Sequence, residues 1–539
     1  MDKDSISYKI TPYSLPSLKQ IIVDNTSITV ELLENRSHID YLDGYCDYLK
    51  AKTILVEYNY IDRDYLEDYS GYYVRCFHGY ERKCVRIHLF NINVTEEIFL
   101  ELLSGNTKNL TEKQLDKGYL GFIVLKNLPQ TIFGRTCLKT YPAEGYRHYP
   151  IIKTCKANIF GIELTVQSLP FQEQDNVVAA CATSALWSVL HGTSTEFNNE
   201  VPSPYEITKA ATTNLPIESR SIPSDGLTYP MMAEAIRKVS LEPIIINVEK
   251  HDLLKAVIYA YSHASIPMIL GVSLYDVMTD KKLGKKNVIP FFSEHRGEHA
   301  IAVTGYGIDE NSSCNVNLGI KLRSSRINKI YVHDDQVGPY AKMEFKGEKI
   351  KDHTNISGII LDTLTTSWLR EGKRGFTKAV SDHVLIPIYH KIRIPYKTIL
   401  IALIYFDKFI NELRLLGALS SINDDFEWDI YLTSINKYKK LLREDNVLKE
   451  DEIVKIVLEP MPRYIWVAAA YIKNKKKMEF LFDATDIEQG AIILKAIDFT
   501  KDKKLKKELN ELIIKYPLES CYKNRSTWRI LNEGFKVGE

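Results

Sequence analysis

Apolar and polar positions recur along this chain in short runs, and the period of the runs changes from one region to the next. In residues 1–165, TILVEY (53–58), YLGFIVLKNL (119–128) and GIELTVQSL (161–169) are apolar and rich in β-branched and aromatic residues, so they predict strands. YYVRCFHGYERKCVRIHLF (72–90) predicts a hairpin turning near Gly79, and TEEIFLELLSG (95–105) a helix opened by a threonine cap and closed by glycine. This mixture predicts an α+β N-terminal region.

From about residue 166 helical spacing comes first. In VVAACATSALWSVLHG (177–192), Ala182, Ala185, Leu186, Val189 and Leu190 lie at the spacing of one helix face, with Gly192 placed where a helix commonly stops. Cys181 therefore stands at the start of a helix of about two to three turns. A turn-rich connection, VPSPYE (201–206) to SIPSDGLTYP (221–230), leads to a second helix at 229–239, with Pro230 in its first turn. LEPIIINV (241–248) predicts a strand, EKHDLLKAVIYAYSHA (249–264) a helix, and IPMILGVSL (266–274) a buried strand. HAIAVTGYGI (299–308) and INKIYVHDD (327–335) add two strands, so helices precede a sheet. Beyond 346, FDKFINELRLLGAL (406–419) and DIYLTSINKYKKLLRE (429–444) read as helices, and YIWVAAAYI (464–472) to MEFLFDAT (478–485) as a hairpin joined through KNKKK. DKKLKKELNELIIKYP (502–517) predicts a solvated amphipathic helix. These patterns divide the chain into an N-terminal α+β region (1–165), a middle domain (166–345) and a C-terminal α+β accessory domain, mixed but largely helical (346–539).

A length of 539 residues exceeds what one core fills, in keeping with two or three domains. Lysine plus arginine number 70 against 69 aspartates and glutamates, a balance that carries no whole-chain footprint for nucleic acid or an anionic membrane. The first residues, MDKDSISYKI, lack the apolar core of a secretory signal. The apolar run TILIALIYF (398–406) is far shorter than the roughly 20 residues that cross a bilayer. A cytoplasmic location is the expectation, and eight sparsely spaced cysteines are then expected to be reduced.

A reduced cysteine at a helix start is chemically distinctive, because the free N–H groups and positive dipole end there favour a thiolate. A cysteine nucleophile also needs a base, a group that orients the base, and donors for an oxyanion. His299 opens an apolar strand after the polar loop RGE, so its ring can face a cleft. If strands 299–306 and 327–333 are neighbours, Asp334 or Asp335 at the end of IYVHDD can hold that imidazole. Gln174 and the Cys181 backbone N–H are candidate oxyanion donors.

Gln174, Cys181 leading a helix, His299 in HAIAVTGY, and VHDDQVG at the end of the next strand together resemble the papain-like cysteine peptidases. The likeness is greatest to the C39-like group of bacteriocin-leader-processing peptidases, and covers about residues 170–345. It implies a papain-like middle domain, helices first and an antiparallel sheet after. It also implies a thiol peptidase that cleaves a peptide or isopeptide bond in a protein or peptide substrate. Its residues would be Cys181 as nucleophile, His299 as base, Asp334 as the orienting acid with Gly338 four residues on, and Asp335 as understudy. Gln174 lies seven residues before Cys181 where the family carries glutamine six before, and Ala182 stands where many members have glycine. Water would complete the reaction as hydrolysis, and an amine in its place would make it a transfer. The flanking regions would select substrate or dock a protein partner. The contrasting expectation is a catalytically silent papain-like fold serving as a binding or scaffold component of a bacterial multi-protein system.

Other motifs carry less. Cys76, His78, Cys84 and His88 fall within thirteen residues but lack a CxxC knuckle, and read as an ordinary hairpin. No GxxxxGK[ST], GxSxG or complete GxGxxG occurs. No cofactor and no metal are expected.

Overall fold

The computed structural model describes residues 7–34, 36–128, 131–175, 177–214, 222, 226–278, 291–314, 316–352, 355–366, 376–417, 419–487, 492–499, 504–505 and 507–508. The fold is α+β, and its sheets are mainly antiparallel. The chain packs as two compact units. One gathers residues 1–249, 266–307 and 328–387, the other 250–265, 308–327 and 388–539. The sequential boundaries at 165 and 345 do not coincide with these, since each unit recruits segments from distant parts of the chain.

The first unit begins with a five-stranded sheet, β1 (Tyr8–Pro12), β2 (Thr53–Tyr60), β3 (Cys84–Phe90), β4 (Tyr119–Leu125) and β5 (Phe133–Leu138), in sequential antiparallel order. Alternation along these strands divides their side chains between two cores. Ile54, Val56, Ile87 and Leu89 pack with α1 (Leu15–Asn25), α2 (Val30–Glu34) and α3 (Ser37–Tyr48). Leu55, Phe90, Phe122 and Val124 pack in a second core with residues of α4 (Arg63–Gly71), α5 (Glu96–Leu103) and α6 (Glu112–Gly118). The same core takes in β7 (Lys153–Ile159) and β8 (Ile162–Ser168), an antiparallel pair; β6 (Arg147–His148) is a short strand before them.

The predicted hairpin at 72–90 does not form. Only its second half is a strand; Tyr73–Arg75 is a turn of 3-10 helix after α4. Cys84–Phe90 has both edges occupied, by β2 and β4, so it leaves no edge for its own upstream segment. The tyrosines there pack on one another instead, Tyr73 meeting Tyr72 and Tyr80 edge-on at 5.4 and 5.3 Å.

Helices α7 (Cys181–Phe197), α8 (Pro204–Ala211) and α9 (Tyr229–Lys238) then share a core with one face of a large sheet, through Leu186, Val189, Ile207, Ile236, Ile269 and Ala302. Helix α7 runs past Gly192, which is interior: a Cβ there would lie 2.8 Å from Pro267 and 2.9 Å from Ile151. That glycine permits a close approach, and Asn198, in the left-handed conformation at φ 56°, ends the helix. The sheet contains β9 (Leu241–Asn247), β10 (Met268–Met278), β11 (Phe291–Ile308), β14 (Ile327–Asp334), β15 (Gly338–Asp352), β16 (Asn355–Thr366) and β17 (Phe376–Tyr389). Pairing runs β10-β11-β14-β15-β16-β17, with β17 returning to β10 and β9 added beyond β17. The strands carrying His299 and Asp334, β11 and β14, are neighbours.

In the second unit β12 (Val316–Asn317), β13 (Ile320–Leu322), β18 (Glu427–Ser434), β19 (Tyr464–Ile472), β20 (Lys475–Asp483) and β21 (Ile493–Asp498) form one sheet. Its helices are α10 (His251–Ser262), α11 (Tyr396–Leu415), α12 (Ile435–Arg443) and α13 (Glu450–Leu458). The segment expected as one helix at 429–444 is strand β18 followed by α12, because Ser434 caps a new helix at Lys437 N–H. The predicted hairpin is β19 and β20, turning on Lys473 and Asn474, both at positive φ. Most of the expected helix at 502–517 lies outside the described residues. Among the described residues no helix is long and apolar enough to cross a membrane.

Gly121 in β4 has φ 122°, and a Cβ there would lie 1.9 Å from the Cys137 carbonyl oxygen on β5. Gly121→Ala is expected to cost about 1–3 kcal/mol of stability, seen as a lower midpoint in urea denaturation followed by circular dichroism.

Candidate active site

Cys181 is the first residue of α7 and is half-buried. Ala180 precedes it as N-cap and no side chain caps the first turn, so the opening N–H groups of the helix lack the partner that a serine or aspartate would supply. The loop before it is held from within. Asp175 Oδ1 accepts from the backbone N–H groups of Val177, Val178 and Ala179, and its own N–H donates to the Ala179 carbonyl at 2.8 Å. Thr208 of α8 donates from Oγ1 to the Val178 carbonyl at 2.7 Å. The cysteine is thus delivered by a loop fixed on two sides.

His299 lies on β11, buried, and lines the same cleft as Cys181, whose thiol is the smallest of the influences that raise its titration. Its Nε2 is 2.9 Å from Asp334 Oδ1 and 3.7 Å from Asp335 Oδ1. With Nε2 committed to Asp334, Nδ1 is the nitrogen left for the thiol. Burial would push the imidazole toward neutrality, but the charges of Asp334 and Asp335 and the hydrogen bond to Asp334 outweigh it, and the ring is held protonated well above its ordinary 6.5. Asp335 is pushed up to about 7, first by burial and then by the Asp334 charge, against the pull of His299.

The acid is aimed by its backbone. The pairing of β14 with β15 shifts register between Val332 and Asp334, which then pairs with Gly338 across a tight turn. In that turn Gln336 N–H donates to Asp334 Oδ1 at 2.9 Å and Val337 N–H to the Asp334 carbonyl at 3.0 Å. Gly338 has φ 144°, and a Cβ there would lie 2.6 Å from the Tyr41 ring. Helix α3 buttresses the turn: His38 Nε2 is 2.7 Å from the Asp335 carbonyl oxygen, and Tyr41 donates to the Pro339 carbonyl at 2.7 Å.

The structure therefore brings Cys181, His299 and Asp334 together. Gln174 is half-buried, with its carbonyl accepting from Thr131 Oγ1 at 3.0 Å. Among the described residues its side chain makes no hydrogen bond and does not line the cleft. Among the described residues the buried glutamine is Gln172, and its Nε2 meets no hydrogen-bond partner among them.

No protein-family model matches the chain, and no curated protein matches it in sequence. The site is therefore read from its own geometry. A cleft of about 530 Å³ has Cys181, Ala182 and His299 on its wall, facing Leu227, Tyr229, Pro230 and Met232. Glu298, Ala300, Gly271 and Asp382 complete the described lining with Gly226 and Thr228. Sequence reasoning missed Tyr229, Glu298 and Asp382; Glu298 had a signal in its place beside His299. Among the described residues, His299, Asp334 and Asp335 also form a group whose donor atoms, within 4.8 Å of one another, have the spacing to hold a metal ion. A cation there would have to replace the His299–Asp334 hydrogen bond.

Asp334→Asn removes the main charge holding the imidazolium, so the His299 titration is expected to fall by one or more pH units. Histidine-selective NMR across pH checks it. Because the folded value is raised, the stabilisation from this contact is complete below 6.5 and is lost as pH rises through the raised value. In the variant, that loss with rising pH disappears.

Proposed function

We propose that the chain is a cysteine peptidase with a papain-like catalytic centre, acting on a peptide or isopeptide bond. The observation that carries this reading is a helix-leading thiol sharing an open cleft with a histidine whose Nε2 is bound to a buried aspartate. The helices that begin with Cys181 and the antiparallel sheet that follows them are compatible with that architecture.

In the reaction, the Cys181 sulfur attacks the carbonyl carbon as a thiolate, beside a His299 ring that already carries the proton. The developing oxyanion sits at the start of α7, where the Cys181 N–H is a donor. His299 gives its proton to the departing amine as the carbon–nitrogen bond breaks, leaving a thioester. Water, losing a proton to His299, then attacks the thioester; the acid is released and the thiolate beside a protonated His299 is restored. Asp334 keeps the imidazole in one orientation and stabilises its charged form throughout.

Incubation of the full chain with a mixed peptide library, followed by intact-mass spectrometry, tests this directly. A thioester adduct on the Cys181 peptide and accumulating cleavage products are expected. Cys181→Ala and His299→Ala are each expected to lower turnover by at least about 10³-fold. An intact library, or cleavage that survives Cys181→Ala, would favour the binding or scaffold role.

A further inference from the structure

The cleft beside Cys181 is lined by both apolar side chains and carboxylates. Register places Gly271 of β10 opposite Ala300 of β11, and Ser273 opposite Glu298, so these four residues share the sheet face toward α9. Tyr229, from the first turn of α9, reaches that face: a Cβ on Gly271 would lie 1.8 Å from its hydroxyl oxygen. On the other side of β10, the pairing with β17 jumps from Leu270–Val384 to Val272–Ser381, leaving Asp382 and His383 as a bulge opposite Gly271. Bulges beside functional sites re-aim side chains. This one leaves Asp382 Oδ2 and the His383 carbonyl each 3.5 Å from the Tyr229 hydroxyl.

Two carboxylates, from different strands, thus enter the cleft that holds the nucleophile, and among the described residues no lysine or arginine lines it. Glu298 accepts from Ser273 Oγ at 2.8 Å and lies 3.1 Å from His295 Nε2; Asp382 Oδ1 lies 2.7 Å from His383 Nδ1. Both carboxylates remain solvent-facing, with side chains 65% and 37% exposed. Each has room for a further charged donor. Tyr229, Leu227 and Met232 supply the apolar surface along which an aliphatic stem can lie while its charged end reaches the carboxylates.

We propose that this cleft selects a peptide bearing a lysine or arginine side chain next to the scissile bond, with Glu298 and Asp382 binding its charge and Tyr229 its stem. The proposal rests on the cysteine peptidase reading, which it deepens by naming the substrate class. Such a cleft also disfavours acidic residues at the same position, since two carboxylates repel a third like charge placed beside them.

Two readouts on the full chain test it. In the first, Cys181 is modified with methanethiosulfonates carrying a cationic aminoethyl, a neutral methyl or an anionic sulfonatoethyl group. Each rate is read by mass spectrometry of the Cys181 peptide and normalised to 2-mercaptoethanol. The cationic reagent is expected to exceed the anionic one by tenfold or more, and Glu298→Gln with Asp382→Asn to cut that preference at least fivefold. If the double variant does not fold, Glu298→Gln alone, at an exposed position, is expected to cut it at least twofold. In the second, fluorogenic peptides carrying Lys, Arg, norleucine or Glu on the acyl side of the scissile bond are compared, with Lys and Arg expected to be cleaved fastest. Equal reagent rates, or a preference unchanged in the variants, overturns the proposal. So does equal cleavage of the norleucine and Glu peptides. Absence of all cleavage counts against the peptidase reading, and the reagent ratio then decides the charge claim by itself.

Discussion

The contact between His299 Nε2 and Asp334 Oδ1, 2.9 Å long, lies where water hardly reaches: the two side chains are 2% and 0% exposed. Leaving either charge there without the other would cost roughly 3–5 kcal/mol. The pair therefore constrains the elements around it. It ties β11 to β14, and it requires the turn after β14 to present a carboxylate inward, which the register shift at His333 and the positive φ of Gly338 accomplish. Asp335 adds a second carboxyl in the same buried space. Its rise to about 7 is the electrostatic consequence of burial beside Asp334, with the imidazolium offsetting part of it.

Support for the pair comes from far along the chain. His38 and Tyr41 of α3 fasten the Asp335 and Pro339 carbonyls, about 297 residues away in sequence. Arg36 meets Glu173 at 2.7 Å, and Glu173 accepts from the N–H groups of Ile132 and Phe133 just before Gln174. The N-terminal segments and the strands bearing the site accordingly pack as one unit. Asp175 performs for the cysteine what the 334–338 turn performs for the acid. Both are Asp-centred turns: Asp175 Oδ1 collects three successive backbone N–H groups, and Asp334 takes Gln336 N–H on its side chain and Val337 N–H on its carbonyl.

Much of this was legible in the sequence where local pattern decides structure. The Cys181 helix, the Thr95-capped helix, the strands at 53–60 and 119–125 and the β19–β20 hairpin all follow from periodicity and capping. Cys181 and Asp334 were visible because each stands at the end of a strongly patterned element; His299 was visible as the start of an apolar run, although the strand itself begins at Phe291, so the expected loop 296–298 is part of β11. What failed was long-range. The 72–90 hairpin was lost because β3 had better partners in β2 and β4, and Gly192 read as a stop because its tight contact with Pro267 and Ile151 cannot be seen locally. The acidic lining was hidden for the same reason: Asp382 reaches the cleft only through a bulge in a strand paired with β10.

The central claim is that the sulfur of Cys181 and the ring of His299 work as a pair. The second-order rate of iodoacetamide alkylation at Cys181, measured by mass spectrometry at pH 7 in the native chain and in His299→Ala, tests it most directly. The account predicts that Cys181 reacts at least tenfold faster than the half-buried Cys76, and that the advantage vanishes when the imidazole is removed. An equal rate in the two proteins would contradict it.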